Sequence, residues 1–157
     1  MPELMGISHI DLTVSDCDRA AAWWQDVVVG FTLVNRTSTD TFETRSMVHP
    51  SGVAVTVMCH NGTAEMGAFD ERRVGLDHLA FRVADTDELQ RWVTHLDEKG
   101  VTHSGIIDIG YGATVVFRGP DNMQLEFYVH PRADELPVNA ADSEEARRVL
   151  AEAQPQG

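Results

Sequence analysis

The stretch "ISHIDLTV" (residues 7–14) decides the fold, because "LDHLAFRV" (residues 76–83) repeats its pattern later in the chain. Each stretch alternates apolar and polar residues, which is typical of a β-strand with one buried face. Each carries a histidine at its third position, so this first alignment makes His9 and His78 equivalent. A second alignment places "HPSGVAVTVMCH" (49–60) on "GPDNMQLEFYVH" (119–130), with one residue of slippage relative to the first. The sequence therefore predicts a tandem duplication.

Each half predicts a strand, a helix and then several strands. The helices are expected in "SDCDRAAAWWQDVV" (15–28) and "DTDELQRWVTHLDEKG" (85–100), with N-caps at Ser15 or Asp16 and at Asp85 or Thr86. Shorter alternating stretches predict the later strands, at 32–35, 43–49, 53–58, 106–108, 114–118 and 123–129. The predicted fold class is α+β, with one module over residues 5–62 and a second over 74–130. The acidic segment 131–157 is either a loose tail or a short helix from about residue 143 to 153.

Composition excludes some partners. The 157 residues include 25 Asp and Glu against 12 Lys and Arg, a formal net charge of −13, which repels nucleic acid and anionic membranes. Two cysteines form no CxxC pair, no apolar run approaches the ~18 residues of a membrane span, and the first residues do not resemble a signal peptide. We expect a soluble, cytoplasmic protein with no nucleic-acid or membrane partner.

Polar side chains converge on one face of the predicted sheets. Glu126 lies opposite the apolar face of its strand, and Thr56 takes the equivalent place in the first half. If helices cover one side of a curved sheet, His9, His78, Glu126 and Thr56 line the other side. Two imidazoles and one carboxylate form the donor set of catalytic divalent-metal sites with open positions. The alternative is that each histidine makes only structural hydrogen bonds.

The chain resembles the vicinal oxygen chelate superfamily, which includes glyoxalase I, extradiol dioxygenases, methylmalonyl-CoA epimerase, fosfomycin-resistance enzymes and bleomycin-binding proteins. The resemblance covers about residues 5–130 and rests on "HIDLTVSDCDRAAAWWQDVVVGF", "GLDHLAFRV" and "GPDNMQLEFY". It implies tandem βαβββ modules that form a curved mixed-sheet cup around one divalent ion. His9, His78 and Glu126 match the usual ligands. Thr56 stands where glyoxalase I and the epimerase usually carry Glu or Gln, which argues against glyoxalase I, whereas three-ligand enzymes remain compatible.

The resulting hypothesis is a metal-dependent enzyme that acts on a small oxygenated metabolite by lyase, isomerase or ring-cleaving dioxygenase chemistry. The cofactor would be Fe²⁺, Mn²⁺, Ni²⁺ or Zn²⁺. His103 and Tyr111 are candidates for proton transfer, and the alternative is a surface histidine and an aromatic residue of a turn. Candidates for contact with the substrate are Thr56, Arg82 and Arg118, and Arg45 is also expected to face inward.

Two further expectations accompany this hypothesis. The alternative function is a metal-free binding protein of the bleomycin-resistance type, which sequesters a small molecule in the same cup. Such proteins commonly lack the ligand triad. A homodimer is expected, because symmetric pairing would cover exposed sheet edges.

Overall fold

The computed structural model describes residues 6–62, 67–110 and 112–129, together with Arg148 and Glu152. The chain divides into two compact units. The first comprises Met1–Gly75 with Gly119–Met123, and the second comprises Leu76–Arg118 with Gln124–Gly157. No helix in the described part of the chain is long and apolar enough to cross a membrane.

The first unit is a four-stranded mixed sheet with one helix. Its elements are β1 (Ile10–Thr13), α1 (Cys17–Val27), β2 (Thr32–Ser38), β3 (Phe42–Val48) and β4 (Ala54–His60). The strand order is β1-β4-β3-β2, with β1 parallel to β4 and the other pairs antiparallel. The helix begins after Asp16, whose carboxylate accepts a hydrogen bond from the backbone N–H of Arg19 at 2.9 Å. Burial of Trp24, Val55 and Val57 contributes roughly 1.5–3 kcal/mol each to the stability of this layer.

The second unit has the same order of elements. These are β5 (Leu79–Val83), α2 (Thr86–Glu98), β6 (Ile107–Asp108), β7 (Ala113–Arg118) and β8 (Gln124–Val129), with strand order β5-β8-β7-β6. Asp85 caps α2 through the backbone N–H of Glu88, and Gly100 follows the helix with a φ of +65°. Phe127 stacks on Trp92 of α2 and on Phe117 of β7, with ring centroids 4.2 and 4.6 Å apart. The helix therefore covers the face of the sheet that carries Phe117 and Phe127.

The strand register confirms the predicted repeat and the α+β fold. Ile10 of β1 pairs with Val55 of β4, and Leu79 of β5 pairs with Leu125 of β8. Ile10 and Leu79 are equivalent in the first alignment of the sequence with itself, and Val55 and Leu125 are equivalent in the second. Each unit thus joins its first strand to its last in parallel, and equivalent residues occupy corresponding register positions, each in its own sheet.

The turn between β7 and β8 belongs to the first unit. Asp121 and Asn122 take left-handed φ values of 55° and 65°, which Asp and Asn tolerate better than most residues. The Asp121 carboxylate accepts a hydrogen bond from the backbone N–H of Ser15 at 2.8 Å. The Asp121 carbonyl accepts one from the N–H of Phe69 at 2.7 Å, and the Asn122 side chain donates to the carbonyl of Phe69 at 2.9 Å. These bonds offset the backbone strain.

The predicted acidic tail lies almost wholly outside the described residues. Only Arg148 and Glu152 of that segment are described; both are helical and form an ion pair of 3.7 Å. The choice between a short helix and a loose tail stays a prediction.

Candidate functional site

The second unit brings together His78 and Glu126, two of the three predicted metal ligands. His78 directly precedes β5, and Glu126 lies in the middle of β8, the parallel neighbour of β5. The distance between His78 Nε2 and Glu126 Oε2 is 3.0 Å. The Glu126 side chain is 12% exposed and that of His78 is 41% exposed, so the pair has one open side.

Neighbouring side chains orient both members of this pair. Asp77 Oδ1 lies 2.6 Å from His78 Nδ1 and also accepts a hydrogen bond from the Gln124 amide at 3.3 Å. The Thr114 hydroxyl donates to the other oxygen of Glu126, Oε1. Metal-binding imidazoles are typically held in this way, with a carboxylate on the nitrogen that does not bind the ion.

Each ring nitrogen of His78 faces a carboxylate, Asp77 at Nδ1 and Glu126 at Nε2. Asp77 is an acceptor, so it assigns the proton of a neutral His78 ring to Nδ1. Nε2 then carries a lone pair that faces a second acceptor, Glu126, at 3.0 Å. Two acceptors at this distance repel unless a proton or a metal ion lies between them. Two ligands at right angles with bonds of about 2.1 Å are also about 3.0 Å apart, so the spacing fits a metal ion.

The first unit presents His9 in the equivalent place, directly before β1. The Ser8 hydroxyl lies 3.1 Å from His9 Nδ1, and Asp11 Oδ1 lies 3.9 Å from His9 Nε2. Thr56 is half-buried on β4, and its hydroxyl donates to the Ser46 hydroxyl at 3.0 Å. The Thr56 hydroxyl is therefore hydrogen-bonded to the neighbouring strand β3, as expected for a structural residue.

The complete predicted triad stays a prediction, because His9 belongs to one unit and His78 and Glu126 to the other. Over the ranges 6–62, 67–110 and 112–129, no group of three or more His, Cys, Asp or Glu side chains is gathered closely enough to hold a metal ion. The second unit therefore provides one oriented pair of potential metal ligands, His78 and Glu126.

Two of the three predicted substrate contacts, Arg82 and Arg118, lie on the Glu126 face of the second sheet. Arg82 is exposed and pairs in register with Tyr128, two residues beyond Glu126. Arg118 is half-buried and pairs with Gln124, two residues before Glu126. The two arginines thus flank the level of Glu126 in the strand register. Tyr111, a predicted proton-transfer residue, lies outside the described residues.

His103 lies on the opposite, helix-covered face. It forms an antiparallel bridge with Phe117, and its Nε2 lies 3.0 Å from Asp97 Oδ1 on α2. Its Nδ1 accepts a hydrogen bond from the backbone N–H of Gly105 at 3.0 Å. Both ring nitrogens of His103 therefore make contacts on the face opposite Glu126. These contacts argue against the predicted acid–base role.

Arg45, which the sequence predicted to face inward, also points to the helix side. It is buried, and its guanidinium binds Asp18 of α1 at 2.7 Å and Glu43 at 3.1 Å. Hydrogen bonds to the Asp18 carboxylate, chiefly that from Arg45, lower the pKa of Asp18 to about 2. Arg45 therefore fastens α1 to the sheet rather than facing a substrate.

Sequence reasoning missed the orienting residues. Asp77 and Ser8 are equivalent in the first alignment, and each contacts Nδ1 of the histidine that follows it. Thr114 and Thr44 are equivalent when the second alignment is extended backwards, and both are buried. The signal was available: a polar residue precedes the histidine in both copies, and a threonine recurs on the equivalent strand.

Comparison with known proteins gives one family. The family model of the glyoxalase/bleomycin resistance protein/dioxygenase superfamily matches residues 6–127. A solved glyoxylase/bleomycin resistance protein/dioxygenase domain from Frankia sp. EAN1pec is 31% identical, with a TM-score of 0.74 over 81% of this chain and 98% of that one. The fosfomycin resistance protein FosX of Listeria monocytogenes, solved with Mn(II) and sulfate, shares the fold at 18% identity, with a TM-score of 0.62 over 82% of this chain and 94% of that one.

A curated relative matches part of its own length. The Bacillus subtilis (strain 168) protein named "Putative ring-cleaving dioxygenase MhqA" is 27% identical in an alignment of 148 positions that covers 83% of this chain. The match spans 44% of MhqA, so this chain covers less than half of that relative.

Proposed function

Because the chain belongs to the glyoxalase/bleomycin resistance protein/dioxygenase superfamily, we propose that it is a divalent-metal-dependent enzyme acting on a small oxygenated metabolite. The reaction would be of the lyase, isomerase or ring-cleaving dioxygenase class. The observation that carries the proposal is the 3.0 Å approach of His78 Nε2 to Glu126 Oε2, two acceptors once Asp77 holds the imidazole proton.

The proposed ligands are His9, His78 and Glu126, and the ion would be Fe²⁺, Mn²⁺, Ni²⁺ or Zn²⁺. When bound, such an ion supplies Lewis-acid polarisation of a carbonyl, enol or catechol oxygen. The Mn(II) bound by FosX and the ring-cleaving activity in the name of MhqA belong to those proteins, and they support a metal-based chemistry here.

The residues of the chain would divide the work. Asp77 holds His78 in the tautomer that presents Nε2, and Thr114 fixes the carboxylate of Glu126. Arg82 forms no ion pair within the described part of the chain, although the chain has a twofold excess of acids. We therefore assign Arg82 to an anionic or strongly polar group of the substrate. Tyr111 stays the candidate for proton transfer.

The test is the metal content of protein purified without a histidine tag and measured by elemental analysis. We expect about one ion per chain in the wild type and in the control His95→Gln, whose histidine lies on α2 against Trp92. His78→Ala should lose the ion. Equal metal content in the wild type and His78→Ala would contradict the proposed site. If none of the four cations binds even after reconstitution, the metal-free binding protein becomes the better interpretation.

The expected homodimer is a separate proposal. β2 and β6 are outer strands of the two sheets, and symmetric pairing of two chains would cover such edges. Sedimentation velocity at micromolar concentration should show a dimer. A monomer there would contradict the assembly without affecting the proposed metal site.

A further inference from the structure

Asp11 is an acid on the polar face of the first unit. It is the second residue of β1 and lies two residues after His9, with a side chain that is 45% exposed. Its Oδ1 is 3.9 Å from His9 Nε2. Within the described ranges, no Lys or Arg side chain forms an ion pair with it. Its charge is therefore not explained by a structural salt bridge.

The strand register gives Asp11 a position in its own sheet that corresponds to the level of Glu126 in the second sheet. In the second unit, Glu126 on the last strand pairs with Ala80 on the first. In the first unit, Thr56 on the last strand pairs with Asp11 on the first. Each unit thus carries one carboxylate at this level of its polar face, but on different strands. The first unit has no acid at position 56 on β4, but Asp11 lies beside that position on β1.

The surroundings of the two histidines are also alike. A polar side chain from the preceding residue contacts Nδ1 in both units, Ser8 in the first and Asp77 in the second. A carboxylate faces Nε2 in both, Asp11 at 3.9 Å and Glu126 at 3.0 Å. Two atoms bonded to one ion at about 2.1 Å are about 3.0 Å apart at right angles and about 4.2 Å apart on opposite sides. Both observed spacings fall within this range.

We propose that Asp11 is a further ligand of the divalent cation and supplies the carboxylate that Thr56 does not. This inference rests on the proposed function. Asp11 and His9 lie in the same unit, so the added ligand would come from beside a residue already proposed as one. The added carboxylate also favours Mn²⁺, since hard oxygen ligands suit that ion.

The test is the affinity of the metal-free protein for Mn²⁺, measured by competition with a chelator. Asp11→Asn keeps the shape and removes the charge. We expect it to weaken Mn²⁺ binding by more than the ~10–100-fold that loss of an orienting partner costs, because a direct ligand is lost. Asp40→Asn, an exposed acid in the β2–β3 turn of the same unit, is the matched charge control. It should stay within about threefold of the wild type, because exposed charges are screened by salt.

A double variant distinguishes a ligand from a structural acid. Asp11→Asn combined with Thr56→Glu moves the carboxylate to the register partner, and it should recover affinity to within about tenfold of the wild type. Circular dichroism checks that each variant is folded. A loss below ~100-fold in Asp11→Asn, or no recovery in the double variant, overturns the inference. If His78→Ala loses the ion while Asp11→Asn keeps it, the proposed function stands and this inference fails. A wild-type protein that binds no Mn²⁺ overturns both.

Discussion

Replacing Thr114 with valine tests whether its hydroxyl holds Glu126 for metal binding. The Thr114 residue is 5% exposed, and its hydroxyl lies against Glu126 Oε1 and, at 3.1 Å, the carbonyl of Phe127. Valine has nearly the same shape, so Thr114→Val removes the donor without leaving a large cavity. One hydroxyl has one hydrogen, so we count one bond as lost.

The expected magnitude follows from two opposing effects. A hydrogen bond to a charged group contributes about 1.5–3 kcal/mol, and one newly buried methyl group offsets about 0.8 kcal/mol of its loss. The free energy of unfolding should therefore fall by about 1–2 kcal/mol in Thr114→Val. If Glu126 is a ligand, the affinity for Mn²⁺ should fall about 10–100-fold, as it does when other orienting partners are removed.

Urea unfolding followed by tryptophan fluorescence measures the first effect, and chelator competition measures the second. Thr44→Val is the matched control, because Thr44 is 7% exposed in the equivalent place, and no side-chain hydrogen bond of its hydroxyl is seen in the described part of the chain. We expect it to be neutral, or stabilising by up to about 0.8 kcal/mol. Equal losses in the two variants, or unchanged stability and affinity in Thr114→Val, would refute the reasoning.

Contacts elsewhere in the chain lead to three more predictions. The pKa of Asp18 is lowered to about 2 from its usual 3.8, chiefly by hydrogen bonds from Arg45 and Arg36, so its stabilising effect is full above pH 4 and disappears as the pH falls toward 2. The free energies of unfolding of the wild type and Asp18→Asn should therefore differ at pH 6 and converge near pH 2. A difference that stays the same at both pH values would contradict this prediction. Arg82→Gln should keep the metal content but bind 3,4-dihydroxybenzoate more weakly with no change for catechol, measured by calorimetry; an equal loss for both probes would count against a role in binding an anion. Asp121→Ala should lower the free energy of unfolding, measured in urea, by about 2–3 kcal/mol. Asp121→Asn should lower it by less, because Asn tolerates the left-handed φ. Equal effects of the two substitutions would exclude a contribution from the backbone conformation.

Much of the fold could be predicted because the same signals occur twice. The two alignments of the repeat predict the same order of elements in both halves, and the helices begin where an aspartate precedes an apolar stripe. Between the alternative caps, Asp16 and Asp85 serve because each carboxylate reaches the backbone N–H three residues later. The strand alternation also placed Glu126 correctly on the face opposite Phe127.

The candidate site was less predictable, because alternation separates two faces without saying which face a short segment joins. His103 sits in a single bridge to Phe117, and that pairing turns its ring toward Asp97. Arg45 pairs with the buried Val57, so it points to α1 despite its charge. The role of Asp77 was hidden because a carboxylate next to a histidine in sequence contacts its ring only when the backbone orients both.

The turn that carries Asp121 and Asn122 has a consequence for the history and engineering of the duplicated chain. The first unit receives hydrogen-bond partners for Ser15 and Phe69 from a segment that lies beyond the second copy of the histidine strand. A gene fragment stopping at residue 75 would lose these partners, so the first unit is complete only when residues 119–123 are present. A circular permutant opened near residue 63 retains every one of these bonds, and it should outlast a truncated half in a protease digest.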